Sequence, residues 1–216
     1  MTQPEDLKRL VDAAMTLAAQ RPWSEIGYRE IVAAAGLRLD EAWRLAADRR
    51  AILAALSRQA DAAVLAEPAA LEDGSARDRL FDVLMRRFDA LKPYRAGLAS
   101  VANAAGREPT QSLAMLCQLA CSMQAMLVAA GISTEGLAGR LRVQGLVAIW
   151  AAAFRRFLRD ETPDLSETMA SLDEKLRRAE RWIERCSWRA PRARAETTEP
   201  PPPPAGEDSG PQAQPL

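Results

Sequence analysis

Apolar residues recur at helical spacing along almost the whole chain before residue 195, and this periodicity is the strongest constraint on the fold. The segment 6–19, for example, places Leu7, Leu10 and Ala14 on one face of a helix. Runs of β-branched residues, which favour strands, are few. The pattern predicts an all-α protein without strands.

Proline, glycine and capping residues divide this periodicity into nine predicted helices. Pro22 ends the first helix and Gly36 ends the second, while Ser75 and Ser166 are placed to cap two later ones. The predicted helices cover residues 6–19, 28–35, 40–46, 49–65, a stretch that begins after residue 75, 93–105, 109–130, 137–159 and 166–188.

Composition divides the chain into three predicted regions. From residue 195 to 216 large apolar residues vanish apart from Leu216, and a proline run and a net charge of −4 predict a disordered acidic tail. A composition shift near residue 67 separates short helices from longer apolar ones within one packed body. We therefore predict an N-terminal domain over 1–57, a larger helical domain over 58–190 and a tail over 195–216.

The chain contains no histidine, and this absence excludes several classes of function. Ser-His-Asp and Cys-His catalysis, histidine metal sites and imidazole pH switches are all removed. Since no nucleophile with a base is visible either, we expect no enzyme, catalytic residue, metal site or cofactor. Cys117 and Cys121 stand one helical turn apart in an apolar run and are expected to be buried thiols. The polar N-terminus, and the lack of an apolar run of about 18 residues, predict a cytoplasmic protein.

Residues 21–53 carry the pattern of a helix-turn-helix. Two short predicted helices flank Ala35-Gly36-Leu37, where Gly36 permits a left-handed backbone and Leu37 fills the space between the helices. The second helix is then placed to enter the major groove of DNA. Residues 1–57 contain eight basic and eight acidic side chains, although DNA-binding domains are normally basic on the reading face.

The N-terminal domain resembles that of the TetR family of bacterial transcriptional regulators. The resemblance rests on Pro22-Trp23, on Ala35-Gly36-Leu37, on Trp43 in the recognition helix and on Arg49 at the start of helix four. It implies a three-helix helix-turn-helix domain packed on a ligand-binding and dimerisation domain of about six helices. It further implies a homodimer that binds a palindromic operator and is released by a small ligand. The DNA-binding residues that it implies are Tyr28, Arg38, Leu39, Trp43, Arg44 and Arg49.

Several residues depart from the pattern of that family. Ile26 stands where threonine is usual, and Asp40 and Glu41 stand where phosphate-contacting residues are common. A carboxylate repels phosphate, although Arg38 and Arg44 remain as candidate cations. Two interpretations therefore stay open, a DNA-binding helix-turn-helix and a purely structural one.

A second resemblance, to the lipid-binding accessory proteins of ubiquinone biosynthesis, fits these departures. It rests on Trp23-Ser24-Glu25 and on the spacing from Ala130 through Arg140 and Arg159-Asp160 to Leu172-Asp173. This alternative implies a TetR-like fold that no longer binds DNA and presents a membrane-associated isoprenoid to enzymes.

Both resemblances imply an apolar cavity among the long helices. No buried charged cluster is evident from the sequence, so we expect an apolar or amphipathic small molecule as the ligand. Methionine suits an adaptable pocket, and plain core packing is the alternative for each candidate. The candidate ligand-binding residues are Phe88, Met115, Met123, Met126, Leu127, Trp150 and Phe154.

Two surfaces near the C-terminus are candidate interfaces. Residues 175–194 carry a net charge of +6 and include Trp182 and Trp188, which suits either peripheral contact with an anionic membrane or a solvated face. An apolar stripe on the last predicted helix is either the seam of a homodimer or a packing face within the chain. Its residues are Met169, Leu172, Leu176, Ala179 and Ile183.

Overall fold

A computed structural model describes residues 3–67, 74–105 and 109–189. Over these ranges the chain forms nine α-helices and no strand, as the periodicity predicts. The acidic tail predicted over 195–216 lies outside the described residues. The helices are α1 (Gln3–Gln20), α2 (Tyr28–Ala34), α3 (Leu39–Leu45), α4 (Arg49–Leu65), α5 (Ala76–Leu91), α6 (Arg95–Ala105), α7 (Pro109–Ala129), α8 (Gly136–Phe157) and α9 (Ser166–Arg189), with short 3-10 turns at Trp23–Glu25 and Lys92–Tyr94.

Of the two predicted serine caps, one is confirmed. The hydroxyl of Ser75 accepts a hydrogen bond from the backbone N–H of Asp78 at 3.2 Å and so caps α5. The cap predicted for Ser166 is wrong, because the N–H of Thr168 at the start of α9 donates to the carboxylate of Asp160 at 2.8 Å. Asp160 lies outside the sequence window in which a capping residue is normally sought.

Helix α1 is the centre of the N-terminal part and packs against α2, α3, α4 and α6. Leu10 and Ala14 on its apolar face have no exposed surface, and Leu7 on the same face is half-buried. On the other side, α6 approaches so closely that a Cβ added to Gly97 would lie 2.6 Å from the carbonyl oxygen of Met15. The phenol of Tyr94 donates to Asp12 Oδ1 at 2.7 Å and ties α1 to the turn before α6.

The larger helices pack around a cluster of aromatic rings. Phe88 of α5 stacks on Trp150 of α8, with ring centroids 4.1 Å apart, and contacts Phe157 at 5.1 Å. Helix α4 packs against α1 as well as against α5 and α7. It runs continuously through residues 57 and 58, where we predicted a domain boundary, and so belongs to both parts.

The apolar stripe on α9 packs partly inside its own chain. Leu172 and Leu176 are buried, and α9 packs against α8 and α5. For Leu172 and Leu176, the intramolecular packing face is therefore the correct one of the two interpretations left open. Met169 is exposed, and the side chain of Ile183 lies outside the described part.

The expectation of buried thiols at Cys117 and Cys121 is wrong, since both cysteines are exposed. They lie on the outer face of α7, and Val128 continues that face further along the helix. Ser122 and Met123 turn toward the core instead. Helix α7 is therefore less buried than its apolar composition indicates.

Helix α8 is long and apolar enough to cross a membrane by length and composition, with a mean hydropathy of 1.2. It is the one helix of this kind in the described ranges. Its inner face, however, packs Leu146, Trp150 and Phe157 into the core. Of its most apolar window 28% is buried, so α8 contributes one face to the core and leaves the rest on the surface.

Candidate nucleic-acid interface

The turn between α2 and α3 has the geometry that the sequence predicts. Gly36 adopts φ +65°, the left-handed region that glycine enters without a steric penalty. The N–H of Leu37 then reaches the carbonyl of Val32 at 3.2 Å, and the half-buried Leu37 side chain packs on the core. Arg9 of α1 holds the turn by donating from Nη2 to the carbonyl of Ala35 at 2.6 Å.

Two arginines converge on the carboxylate of Asp40 at the start of α3. Arg38 binds it with both arms of its guanidinium, from Nε to Oδ1 at 3.0 Å and from Nη2 to Oδ2 at 2.9 Å. Arg44, one turn further along α3, adds a contact from Nη2 to Oδ2 at 3.3 Å. We call this arrangement of Arg38, Asp40 and Arg44 the arginine clamp.

Glu41 has a different function from Asp40. Its Oε2 accepts the backbone N–H of Arg38 at 3.1 Å, as a residue in the first turn of a helix commonly does. Both acidic side chains on the outer surface of α3 are therefore paired. Glu41 caps the start of the helix, and Asp40 binds the two arginines.

The remaining outer surface of α3 is apolar. Leu39 is 46% exposed and Trp43 is 60% exposed, and their i,i+4 spacing places them side by side. The ring of Tyr28 meets Trp43 edge-on, with centroids 6.4 Å apart, and its hydroxyl donates to the carbonyl of Ala46 at 2.6 Å. Burial, followed by the negative charge of Asp48, raises the pKa of Tyr28. Tyr28, fixed by its hydrogen bond to Ala46, thus packs against the Trp43 ring.

Arg49 is turned away from this surface. Its Nη1 donates to the carbonyls of Trp23 and Ile26 at 2.8 and 2.7 Å, and its guanidinium lies 5.4 Å from the Trp23 ring centroid. Arg49 therefore ties the start of α4 to the turn before α2. Arg29 on α2, a cation to which the sequence pattern assigns no role, is exposed and forms no ion pair with any residue in the described ranges.

Six of the seven candidate ligand-binding residues lie in or against the core. Phe88, Met123, Met126, Leu127 and Trp150 are buried, and the half-buried Phe154 stacks on Trp150 with ring centroids 6.2 Å apart. Met115 differs, since its side chain is exposed. A cleft of about 520 Å³ lies elsewhere, between the end of α1, the first 3-10 turn and α6, and none of the seven candidates lines it.

The larger helices enclose a polar cluster, contrary to the expectation that none is buried there. Arg87 donates from Nε to Asp61 at 2.7 Å and from Nη2 to the hydroxyl of Ser57 at 2.9 Å. Ser122 donates to the other oxygen of Asp61 at 2.6 Å. The Arg87 guanidinium also lies 4.5 Å from the Trp150 ring centroid. Helices α4, α5, α7 and α8 therefore meet at one buried charge pair.

Comparisons with known proteins identify the architecture. No family model matches the chain, and no match was found among curated proteins. A TetR transcriptional regulator from Nitrosomonas europaea ATCC 19718 shares the fold with a TM-score of 0.66 and 23% identity, over 81% of this chain and 97% of that chain. A TetR transcriptional regulator from Rhodococcus sp. RHA1 gives a TM-score of 0.51 and 18% identity, over 82% and 97% respectively. The predicted TetR-like fold is therefore confirmed.

Proposed function

From this fold, we propose that the protein is a TetR-type transcriptional regulator. It binds a palindromic DNA operator as a homodimer and is released by an apolar or amphipathic small molecule. The observation that carries the proposal is the left-handed turn at Gly36, which presents α3 with Leu39 and Trp43 exposed. The two solved structures named above are transcriptional regulators, which supports a cytoplasmic binding protein rather than an enzyme.

In the proposed complex α3 lies in the major groove, with its outer face toward the base edges. Leu39 and Trp43 are suited to apolar contact with the methyl group of thymine, the one apolar feature that base pairs present there. Arg38 and Arg44 flank them and face the phosphates, together with the exposed Arg29. Tyr28 positions Trp43, and Arg49 holds the domain together without reaching the DNA.

The outer face of α8 is the surface best suited to a homodimer. Leu137 is 76% exposed and Leu141 is 65% exposed, and the space around Gly145 is open on the same face. Small and apolar residues at this spacing allow two helices to pack closely. Isologous packing along α8 would set two α3 helices on successive turns of the DNA, about 34 Å apart.

Helix α4 is suited to connect a ligand to the DNA-binding surface. Its first residue, Arg49, is bonded to the turn before α2, and Asp61 near its other end is bonded to Arg87 and Ser122. A ligand that separates Phe88 from Trp150 would disturb the neighbours of Asp61 and so shift α4. Release then follows as a change in the populations of two dimer geometries.

The proposal is tested by selecting bound sequences from random duplex DNA at low salt, and then titrating the selected duplex with salt. We expect a palindrome with two half-sites one helical turn apart, and an affinity that falls steeply with salt. Leu39→Ala and Trp43→Ala should each relax the base preference at one position of every half-site. Leu65→Ala is the matched control, because Leu65 is equally apolar and exposed but lies at the far end of α4.

Failure to enrich any sequence at low salt would overturn the proposed DNA binding. The lipid-binding alternative has no comparable support, since the two solved structures named above are regulators. Membrane contact through residues 175–194 stays a prediction, because the side chains of Trp182 and Trp188 lie outside the described part.

A further inference from the structure

We propose that the carboxylate of Asp40 is an internal competitor for DNA phosphate, which limits the positive charge that α3 can offer to the groove. The inference rests on the proposed function, because it concerns the same DNA-facing helix. It begins from the arginine clamp, in which Arg38 and Arg44 bind one carboxylate through three contacts of 2.9 to 3.3 Å.

The clamp has the geometry with which arginine binds phosphate. Arg38 binds Asp40 through two parallel N–H···O bonds, the fork that guanidinium groups form with carboxylate and phosphate alike. Arg44 approaches the same Oδ2 from the next turn of α3. The Asp40 carboxylate thus occupies the position between two guanidiniums that a phosphate of bound DNA would otherwise take.

The arginines of the clamp are the main cations that α3 can present. The Arg38 and Arg44 side chains are 74% and 72% exposed, and they flank the exposed pair Leu39 and Trp43. Arg49, by contrast, is committed to backbone carbonyls. The Asp40 carboxylate therefore competes with phosphate for the two arginines nearest to Leu39 and Trp43.

Asp40 is not needed for the local fold in the way that Glu41 is. Glu41 accepts the backbone N–H of Arg38, whereas the side-chain hydrogen bonds of Asp40 within the described ranges all go to Arg38 and Arg44. The carboxylate of Asp40 thus pairs with the arginines and does not cap the backbone N–H groups at the start of α3. Its removal should leave α3 in place.

The expected effect is on the salt dependence of DNA binding. An exposed ion pair adds little to stability, so Arg38 and Arg44 can leave Asp40, but the carboxylate then stays beside the incoming phosphate. Each phosphate that a protein neutralises adds about 0.9 to the slope of log affinity against log salt. One recovered contact per protomer therefore steepens the slope of a dimer by about 1.8.

The experiment compares wild-type protein with Asp40→Asn on a generic 30-base-pair duplex, by fluorescence anisotropy from 50 to 200 mM KCl. Over this fourfold salt range the variant should lose about twelvefold more affinity than the wild type, and should bind more tightly at 50 mM. Asp40→Ser is a second variant that also suits the start of a helix. Thermal unfolding confirms that each variant is folded.

Two controls separate the clamp from overall charge. Glu41→Gln removes the same charge one residue away and should change the slope much less, while Arg44→Gln in the Asp40→Asn background should cancel the gain. An equal effect of Glu41→Gln, or an unchanged slope in Asp40→Asn, overturns the inference and leaves the proposed DNA binding intact. Binding by Asp40→Asn alone supports the inference, whereas no binding by any variant at 50 mM overturns both proposals.

Discussion

The guanidinium of Arg87 on α5 and the carboxylate of Asp61 on α4 form a buried ion pair, 2.7 Å from Nε to Oδ1. Burial lowers the pKa of Arg87, and the neighbouring charge of Asp61 opposes that shift. An arginine remains charged at any working pH, so this part of the core contains a permanent cation. The stability of the fold therefore depends on Asp61, which neutralises the Arg87 cation.

Asp61→Ala should therefore destabilise the protein by about 3–5 kcal/mol, because it leaves the Arg87 guanidinium buried without a counter-charge. Urea denaturation followed by far-ultraviolet circular dichroism measures the change. Glu174→Ala is the control, since Glu174 pairs with Arg178 on an exposed surface of α9 and should change stability by less than about 1 kcal/mol. Equal losses of unfolding free energy for the two substitutions would show that the buried pair stabilises the protein no more than an exposed pair does.

The Arg87–Asp61 pair also illustrates what the sequence could not predict. Arg87 and Asp61 lie on different helices, and nothing in either helix distinguishes them from the solvated charges around them. Periodicity predicted α4 and α5 well, because each helix has a continuous apolar face. Which charged side chains become buried depends on how those faces meet in space, and the spacing along the chain does not contain that information.

Asp160 should make the protein sensitive to acid. Burial alone would raise the pKa of this carboxyl, but hydrogen bonds from Thr162 and Thr168 lower it from 3.8 to about 2. A depressed pKa in the folded state stabilises the protein above pH 4, and this contribution is lost as the pH falls toward 2. The stability advantage of wild type over Asp160→Asn should shrink by about 2 kcal/mol between pH 4 and pH 2.

Thermal unfolding of wild type and Asp160→Asn at several values between pH 2 and pH 5 tests this directly. Asp164→Asn is the control, because Asp164 lies in the same loop but is exposed. If the stability difference between wild type and Asp160→Asn is independent of pH, the Thr162 and Thr168 hydrogen bonds do not hold the carboxylate as described.

Gly97 should be intolerant of any side chain. A Cβ at this position would lie 2.6 Å from the carbonyl oxygen of Met15, so Gly97→Ala forces α6 away from α1. We expect a loss of about 1–3 kcal/mol, typical of overpacking, in chemical denaturation. Ala96→Ser adds one atom at the adjacent exposed position and should change stability by less than about 0.5 kcal/mol. A neutral Gly97→Ala would contradict the close approach of the two helices.

The proposed DNA-binding surface was predictable only in part. Gly36 was recognisable because a left-handed turn between two short helices has a local signature. The orientation of Arg49 was not, because its partners are backbone carbonyls of Trp23 and Ile26 that the sequence pattern does not display. The same reason applies to Asp40: its position predicted a charge beside phosphate, while its pairing with two arginines required the three-dimensional structure.

Cys117 and Cys121 should react readily in the folded protein, since both lie on the outer face of α7. In a Cys186→Ser background, which removes the third thiol, we expect two maleimide labels per chain under native conditions. Mass spectrometry of the intact protein and of its peptides counts and locates them. Labelling that appears only after denaturation would mean that another part of the chain, or a partner, covers this face.

The outer face of α8 should control the oligomeric state. Leu141→Glu places a charge in the centre of the proposed interface, and because Leu141 is exposed in the single chain, the substitution should leave the fold intact. We expect a monomer in sedimentation velocity with unchanged helix content. Val128→Glu is the matched control, since Val128 is also apolar and exposed but lies on α7. A Leu141→Glu protein that stays dimeric would move the interface to another surface, and with it the predicted spacing of the two α3 helices on DNA.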